Sequence, residues 1–424
     1  MPKTKSDYYL HLLIEIFVFL SPVFFLTIKG WMNSIVFILF FLCLSALYMH
    51  NEKSTVVISS ELQRNSKKII ILSLTIGFLT ILITQTIRWE IDLKAYDAPL
   101  RSLLCIPIFI YLCKNPIKNI SDKLTYSLLI SIIVTWAFIV SFPETSLMWG
   151  EDRLATTFSD PNAFGTYITC LTALLFIQFS PNEFGENWGR GIIKLFGIFI
   201  GAYLIFRSGT RGAWICLPFI FLFWLAINLK KNSKGTLQIL FILLSIFFIS
   251  YFLVHNLQGR IASGFSEAYS WFYTDNKDTS LGIRLSMWKI VFELFSRHPF
   301  LGFGNTGYQS LLTTEYFKNN YSPIVIEMIS KNGPHNEYLA NLLRSGIIGI
   351  TSSLLIFLAP LYVFMMKKSI KTNNVPSLGI ALIICLSLSA ISIEVLTLKY
   401  TISFYSLMIA LLASDTINKY PHDQ

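Results

Sequence analysis

The chain contains repeated apolar runs of about twenty residues, and no other feature limits its possible folds as strongly. A run of this length crosses the hydrocarbon core of a bilayer as an α-helix, because a helix satisfies its backbone hydrogen bonds internally. Of the 424 residues, 54% are apolar and only 14% are charged, whereas soluble domains have about 25% charged residues. We therefore predict an all-α integral membrane protein with about 12 transmembrane helices. The predicted spans are 9–28, 31–49, 68–87, 98–114, 123–142, 162–180, 192–206, 212–229, 237–255, 337–366, 378–393 and 398–414.

One long interruption separates the ninth and tenth predicted spans. Residues 256–336 are too rich in Trp, Tyr and Phe to form a disordered linker. We therefore predict a folded helical insert between two membrane segments, 1–255 and 337–424. A period of three to four residues predicts an amphipathic helix within this insert, followed by a glycine-rich turn, the HPFLGFG turn at 298–304. The predicted apolar stripe of that helix consists of Leu281, Leu285, Trp288, Phe292 and Phe295.

The short connections between spans predict the orientation of the chain. Lysine-rich connections alternate with connections that contain few lysines, and positive flanks remain in the cytoplasm. This pattern places both termini in the cytoplasm and the large insert on the opposite, outer side of the membrane. The first span lacks the features of a cleaved signal peptide, so we expect it to be retained. The six cysteines lie inside apolar runs without metal-ligand spacing and are predicted to be buried and unpaired.

Arginine is distributed differently from lysine. Nine of the 11 arginines fall outside the cytoplasmic connections, at Arg88, Arg101, Arg153, Arg207, Arg211, Arg260, Arg284, Arg297 and Arg344. Guanidinium keeps its charge when partly buried and binds phosphate through paired N–H donors. We therefore expect a phosphate or pyrophosphate ligand at the outer edge of the membrane.

Arg207 and Arg211 stand four residues apart in a tight predicted hairpin, which is the clearest example. Snorkelling of either arginine to lipid headgroups is the alternative interpretation. Arg284 lies in the predicted insert helix, off its apolar stripe, where the alternative is a solvated helix face.

Three further polar positions allow two interpretations. Arg153 precedes an Asp160-Pro-Asn162 turn, whose polar side chains either cap a helix or contact substrate. Glu394, before the last span, could orient a catalytic base or an acceptor hydroxyl, or could pair with Lys399.

His335 occupies the point where the insert ends and a long apolar helix begins. Gly333 and Pro334 interrupt the preceding structure, and Asn336 is suited to cap a helix that continues to Met366. The positive end of the helix dipole disfavours imidazolium, so a ring with a reference pKa of about 6.5 stays neutral there. His335 is therefore a candidate general base, and a histidine that merely caps or packs at the helix entrance is the alternative.

The sequence does not imply a divalent metal. It contains no DxD pair and no His/Cys cluster, and the nearest carboxylates in the insert, Asp275 and Asp278, stand in a polar turn. Arginines would then have to stabilise a leaving phosphate themselves.

Taken together, these motifs resemble the O-antigen ligase and polymerase superfamily of bacterial inner membranes. The resemblance consists of the long outer loop, the TRG sequence at Arg211, the SLGIR sequence at Arg284, the HPFLGFG turn, and His335-Asn336 followed after nine residues by Gly346-x-x-Gly349. The chain length and the stretch 97–101 are more similar to a lipopolysaccharide ligase than to a polymerase.

The resemblance implies glycan transfer from undecaprenyl pyrophosphate to a sugar hydroxyl of the lipid A core, at the periplasmic face, without metal, nucleotide sugar or other cofactor. The implied partners are the carrier-linked donor, the lipid A core and membrane lipids, and not nucleic acid. By motif position the pyrophosphate-contacting arginines would be Arg211 and Arg284, and the essential histidine would be His335. The further substrate-binding candidates are Arg207, Arg153, Asn336, Asp160, Asn162 and Glu394.

Two rival functions stay open at this point. A polymerase would use the same donor but would accept another carrier-linked repeat. A flippase or other transporter is the non-enzymatic alternative, although transporters usually place ionisable residues near the middle of the membrane. The predicted spans here are almost free of charge.

Overall fold

The computed structural model describes residues 5–49, 60–147, 153–183, 187–253, 255–274, 277–366 and 375–419. Every regular element within these ranges is a helix, which confirms the all-α prediction. Two of the lysine-rich connections that predict the orientation, within 50–59 and 367–374, are outside the described residues. The same is true of Glu151, Asp152 and Asp275.

The helices reproduce the predicted spans. In chain order they are α1 (Lys5–Leu20), α2 (Trp31–Met49), α3 (Glu61–Arg88), α4 (Asp97–Lys114), α5 (Ile120–Ser141), α6 (Pro143–Ser146), α7 (Pro161–Ile177), α8 (Trp188–Ser208), α9 (Arg211–Trp214), α10 (Cys216–Leu229), α11 (Ser233–Leu253), α12 (His255–Tyr273), α13 (Ser280–Phe295), α14 (Gln309–Leu312), α15 (Glu315–Asn320), α16 (Pro323–Asn332), α17 (Glu337–Met365), α18 (Val375–Ser389) and α19 (Lys399–Asn418). Each of the twelve predicted spans overlaps a helix, although 212–229 is divided between α9 and α10 and 378–393 extends beyond the end of α18 at Ser389.

Eight helical segments of the described chain are long and apolar enough to cross a membrane. They are Trp31–Met49, Glu61–Arg88, Leu93–Lys114, Ile120–Ser141, Trp188–Ser208, Arg211–Leu229, Glu337–Met365 and Lys399–Asn418. Shorter apolar helices occupy Pro161–Ile177, Ser233–Leu243 and Val375–Ser389. The six cysteines are all free, and five are buried, as their apolar surroundings predict.

The first predicted span, 9–28, is too long. Helix α1 ends at Leu20, and the apolar residues that follow form turns. Pro22 cannot continue a helix because it has no N–H and its ring clashes with the preceding turn. The Ser131 hydroxyl of α5 donates a hydrogen bond to the Pro22 carbonyl at 2.6 Å, so a tertiary contact satisfies a backbone group that the helix would otherwise have used.

The chain forms two compact units. The first comprises Met1–Leu79, Leu93–Ile227 and Leu354–Gln424, and the second comprises Thr80–Asp92 and Asn228–Ser353. In the first unit, α19 is almost completely buried and packs against α4, α2 and α18. Polar side chains of α19 make hydrogen bonds within the unit: the Tyr405 hydroxyl donates to the Ile356 carbonyl at 2.7 Å, and the Ser406 hydroxyl donates to the Ser102 hydroxyl at 3.0 Å.

The second unit has a hydrophobic core of its own. The core joins α13, α16 and the first turns of α17, together with the segments between them. Its buried members are Met287, Ile290, Val291, Leu294, Phe303, Tyr308, Leu312, Phe317, Val325, Ile329, Leu339, Leu342 and Leu343. The described part of the predicted insert is therefore folded and helical, and its core is built partly from a membrane helix.

The buried face of α13 differs from the predicted stripe. The residues in the core are Met287, Ile290, Val291 and Leu294, whereas Phe292 of the predicted stripe is 58% exposed. The helix carries apolar residues around most of its circumference, so periodicity alone could not select the face that packs. Packing against α16 and α17 made that selection.

Helix α17 is broken at Gly346, although the sequence predicted one continuous helix. Gly346 has φ +61°, and the HPFLGFG turn lies against the break. The Phe303 N–H donates to the Leu343 carbonyl at 2.9 Å, and the Ile347 N–H donates to the Pro299 carbonyl at 2.8 Å. A Cβ atom at Gly346 would overlap the backbone of this turn. The glycine of the motif is therefore required by close backbone packing as well as by its left-handed conformation.

Candidate functional site

His335 has a left-handed backbone conformation, with φ +51°. This conformation costs a non-glycine residue roughly 1–2 kcal/mol, so the surroundings must hold it. On its C-terminal side, the Asn336 side chain caps α17 by accepting hydrogen bonds from the backbone N–H groups of Tyr338 at 3.0 Å and Leu339 at 3.1 Å. The predicted cap and helix start are thus confirmed. Strain of this kind in a native structure favours a functional interpretation of the residue.

On its N-terminal side, the His335 loop is attached to α13. The indole N–H of Trp288 donates to the carbonyl oxygen of Pro334 at 3.1 Å, and Pro334 is buried. Arg284 is four residues before Trp288, one helical turn away on the same helix. The second unit therefore connects the helix that carries Arg284 directly to the residue that precedes His335.

Glu337 is a buried acidic residue that the sequence analysis missed. It is the first residue of α17 and only 2% exposed. Asn341 donates from its side-chain amide to the Glu337 carboxylate at 2.6 Å and to its backbone carbonyl at 2.8 Å. The sequence could have indicated Glu337 through its position in the first turn of a predicted helix, where the positive end of the helix dipole stabilises a carboxylate.

The hairpin that carries Arg207 and Arg211 lies in the first unit, between α8 and α9. The Leu154 N–H donates to the Arg207 carbonyl at 2.9 Å, and the Thr210 hydroxyl donates to the Pro161 carbonyl at 2.5 Å. These contacts fix the hairpin against the start of α7. The backbone that presents Arg211, which is itself half-buried, is therefore held in place from two sides.

Arg153 and Asn162 are brought together at this hairpin. The Arg153 guanidinium donates to the Ser208 carbonyl at 3.1 Å and to the Asn162 side-chain oxygen at 3.0 Å. Asp160 caps α7 by accepting from the N–H groups of Asn162 at 2.8 Å and Ala163 at 3.2 Å. Asp160 therefore caps α7, as one interpretation of the Asp-Pro-Asn turn predicted, whereas the Asn162 side chain does not cap the helix but binds Arg153.

Arg207 lies against an exposed aromatic ring. Its guanidinium is 6.0 Å from the ring centroid of Tyr203 and donates to the Tyr203 hydroxyl at 3.3 Å. This arrangement suits an arginine at the polar edge of a span, as the snorkelling alternative describes.

Glu394 is buried, and Lys399 has a different acidic partner. The Thr397 hydroxyl donates to the Glu394 carboxylate at 3.5 Å, while Lys399 pairs with Asp97. Asp97 also pairs with Arg101 at 2.7 Å, so the 97–101 stretch forms an ion cluster with the start of α19. Pairing with Lys399 therefore does not account for the buried carboxylate of Glu394.

Arg88 has an architectural role in the second unit. Its guanidinium donates to the carbonyl oxygen of Leu301 in the HPFLGFG turn and, at 3.2 Å, to that of Arg344 beside the break in α17. It also pairs with Glu90 at 2.9 Å. Arg88, Arg101 and Arg153 thus each bind groups of the chain itself.

These features define a multi-pass, all-α membrane protein with a folded helical insert that carries a strained histidine at a helix entrance. Residues 196–354 match the family model described as O-Antigen ligase. The match confirms the resemblance to the ligase and polymerase superfamily, and it includes Arg211, Arg284 and His335. Arg153, Asp160, Asn162 and Glu394 lie outside it.

The chain is also similar to a protein of Haemophilus influenzae (strain ATCC 51907 / DSM 11121 / KW20 / Rd) that is described as uncharacterized. The two are 25% identical over 323 residues, which cover 72% of this chain and 74% of that protein. The family match supports an O-antigen ligase or polymerase type of function, with glycosyltransferase-like or ligase activity on lipid-linked glycans.

Proposed function

We propose that this protein transfers an O-antigen glycan from undecaprenyl pyrophosphate to a sugar hydroxyl of the lipid A core. The observation that carries the proposal is the left-handed His335, fixed between the Trp288 hydrogen bond and the Asn336 cap, within the domain that matches the O-antigen ligase family. A chain that holds a titratable side chain in a strained conformation from both sides pre-organises it for chemistry.

His335 acts as the general base in this proposal. A sugar hydroxyl is too weakly acidic to ionise beforehand, so His335 accepts its proton while the hydroxyl oxygen bonds to the anomeric carbon of the donor. The bond from that carbon to the pyrophosphate oxygen breaks at the same time, and undecaprenyl pyrophosphate leaves with the electron pair. General-base catalysis of this kind contributes about 10² to 10⁴ in rate. A single displacement inverts the anomeric centre.

Arg211 and Arg284 stabilise the negative charge that develops on the leaving pyrophosphate. Fixed cations aimed at developing charge are often the largest catalytic contribution, and guanidinium offers paired donors to phosphate oxygens. The reaction then requires no metal. Arg207 adds a further cation on the same hairpin as Arg211, and the remaining substrate-binding candidates are Arg153, Asn336, Asp160, Asn162 and Glu394.

In this proposal the reaction takes place at the periplasmic face of the inner membrane, and both termini lie in the cytoplasm. The positive-inside rule supports this orientation through the lysine-rich connections. The folded aromatic insert would restrict the access of water, which competes with the sugar hydroxyl as acceptor.

The direct test replaces the proposed base and the proposed anion-binding arginine. His335→Ala and Arg211→Ala proteins are expected to reach the membrane in a strain that lacks the wild-type gene, and to leave the lipid A core uncapped. His335→Asn is the sharper variant, because asparagine tolerates the left-handed conformation but cannot act as the base. Full-length capping by any of these proteins refutes the role of the residue that it lacks.

A matched control is available for the arginine of the insert. Arg284→Ala should abolish capping, whereas Lys289→Ala removes a more exposed cation from the same helix and should not. Equal loss in both would show that general positive charge on α13, and not the guanidinium of Arg284, supports the reaction.

Two further measurements separate the rival functions. In a deletion strain, loss of a ligase leaves polymer on the carrier, whereas loss of a polymerase leaves single repeats on the core. Turnover of carrier-linked glycan and lipid A core by purified protein in detergent, with no second compartment, excludes an obligatory transport step.

A further inference from the structure

Helix α12 exposes a row of aromatic side chains. Phe265, Tyr269 and Phe272 are 76%, 62% and 67% exposed, and their spacing of four and three residues places them on one face of the helix. The opposite face is packed, because Trp271 donates from its indole N–H to the Ser286 hydroxyl of α13 at 3.0 Å. One face of α12 thus packs against α13, whereas the other face leaves large aromatic rings exposed.

The insert is joined to an apolar helix at each end. Helix α12 begins two residues after the end of α11, which is apolar over Ser233–Leu243. At the other end, the first turns of the membrane helix α17 contribute Leu339, Leu342 and Leu343 to the same hydrophobic core as α13, against which α12 packs. Helix α12 therefore follows the apolar helix α11 in the chain, and it packs against α13, which in turn shares a core with the first turns of α17.

The chemistry of the exposed row indicates what covers it. Tyrosine rings concentrate at the interface between a bilayer and water, where the apolar ring meets acyl chains and the hydroxyl stays among the headgroups. A contiguous apolar surface of this kind marks an interaction site when it faces water. An apolar groove of about 490 Å³ between α12 and α13, lined in part by Leu285 and Phe292, extends the apolar surface onto the next helix.

We propose that α12 lies in the interfacial layer of the bilayer, with Phe265, Tyr269 and Phe272 inserted among the lipid headgroups and the upper acyl chains. The occupant of this face is the lipid of the surface at which α11 ends and α17 begins. Lipid contact along α12 fixes the height of α13 above the membrane through their mutual packing. The proposal does not depend on which reaction the protein catalyses.

The test measures the lipid contact of each position in a bilayer. The six native cysteines are replaced, and single cysteines are introduced by Phe265→Cys, Tyr269→Cys or Phe272→Cys, each labelled with an NBD fluorophore. The full-length protein is placed in phosphatidylethanolamine and phosphatidylglycerol nanodiscs, with or without lipids that carry a doxyl spin label near the headgroup. Lys318→Cys, at an exposed position of α15 in the same insert, is the matched control.

The three aromatic positions are expected to show blue-shifted emission and a loss of fluorescence with the spin-labelled lipids, while the Lys318 position emits as in water and is not quenched. Equal, water-like emission at all four positions would overturn the proposal. Blue-shifted emission without quenching by lipid would also overturn it, because another protein surface would then cover the face. If one variant is not monodisperse on gel filtration, Tyr273→Cys at the 75% exposed neighbouring position replaces it.

Discussion

Substitution of Trp288 by phenylalanine tests whether α13 positions His335. The change keeps an aromatic ring but removes the N–H that donates to the Pro334 carbonyl at 3.1 Å. A buried acceptor left without its donor costs about 1–3 kcal/mol. The left-handed conformation of His335 costs roughly 1–2 kcal/mol, and hydrogen bonds of this kind offset that cost. A loss of about 1.4 kcal/mol from the productive loop conformation lowers the rate about tenfold.

The assay is steady-state transfer from carrier-linked glycan to lipid A core by the purified protein. We expect Trp288→Phe to lower kcat about tenfold with KM nearly unchanged, because the substitution disturbs the position of the base and not the contacts to the donor.

The control is Trp271→Phe. This change removes an indole N–H of α12 that donates to the Ser286 hydroxyl of α13 at 3.0 Å, and it causes the same loss of volume. It should leave kcat within about twofold of the wild type. Equal losses in the two variants, or an unchanged kcat for Trp288→Phe, would refute the reasoning.

Three other results are expected. Gly346→Ala should lower the free energy of unfolding in detergent by more than about 3 kcal/mol, because the new Cβ meets the backbone of the HPFLGFG turn. The control is Gly30→Ala, at φ +80° with no atom within 4 Å of the new Cβ, which should lower it by only about 1 kcal/mol. Asn336→Ala should cost about 1 kcal/mol through loss of the cap, and Asn336→Asp should restore most of it, both by thermal unfolding. Chelators should leave the transfer activity intact, and a requirement for Mg²⁺ would contradict the proposed metal-independent chemistry.

Local features of the sequence determined the helices and their termini. An apolar run of about twenty residues has one stable backbone arrangement in a bilayer, so each predicted span overlaps an observed helix. The caps at Asp160 and Asn336 were predictable for a similar reason, since a capping side chain bonds to N–H groups two and three residues away. The candidate residues Arg211, Arg284 and His335 stood out by residue type and position within motifs.

Features that depend on contacts distant in sequence were decided only by the tertiary structure. The buried face of α13 was set by packing against α16 and α17, since the helix is apolar on more than one side. The break at Gly346 requires the HPFLGFG turn, more than forty residues earlier in the chain, to supply the missing hydrogen bonds. The left-handed backbone of His335 depends in the same way on an indole donor from Trp288. A sequence pattern reports the preferences of a segment, whereas strain and the choice between similar faces are settled by whichever distant groups pack against it.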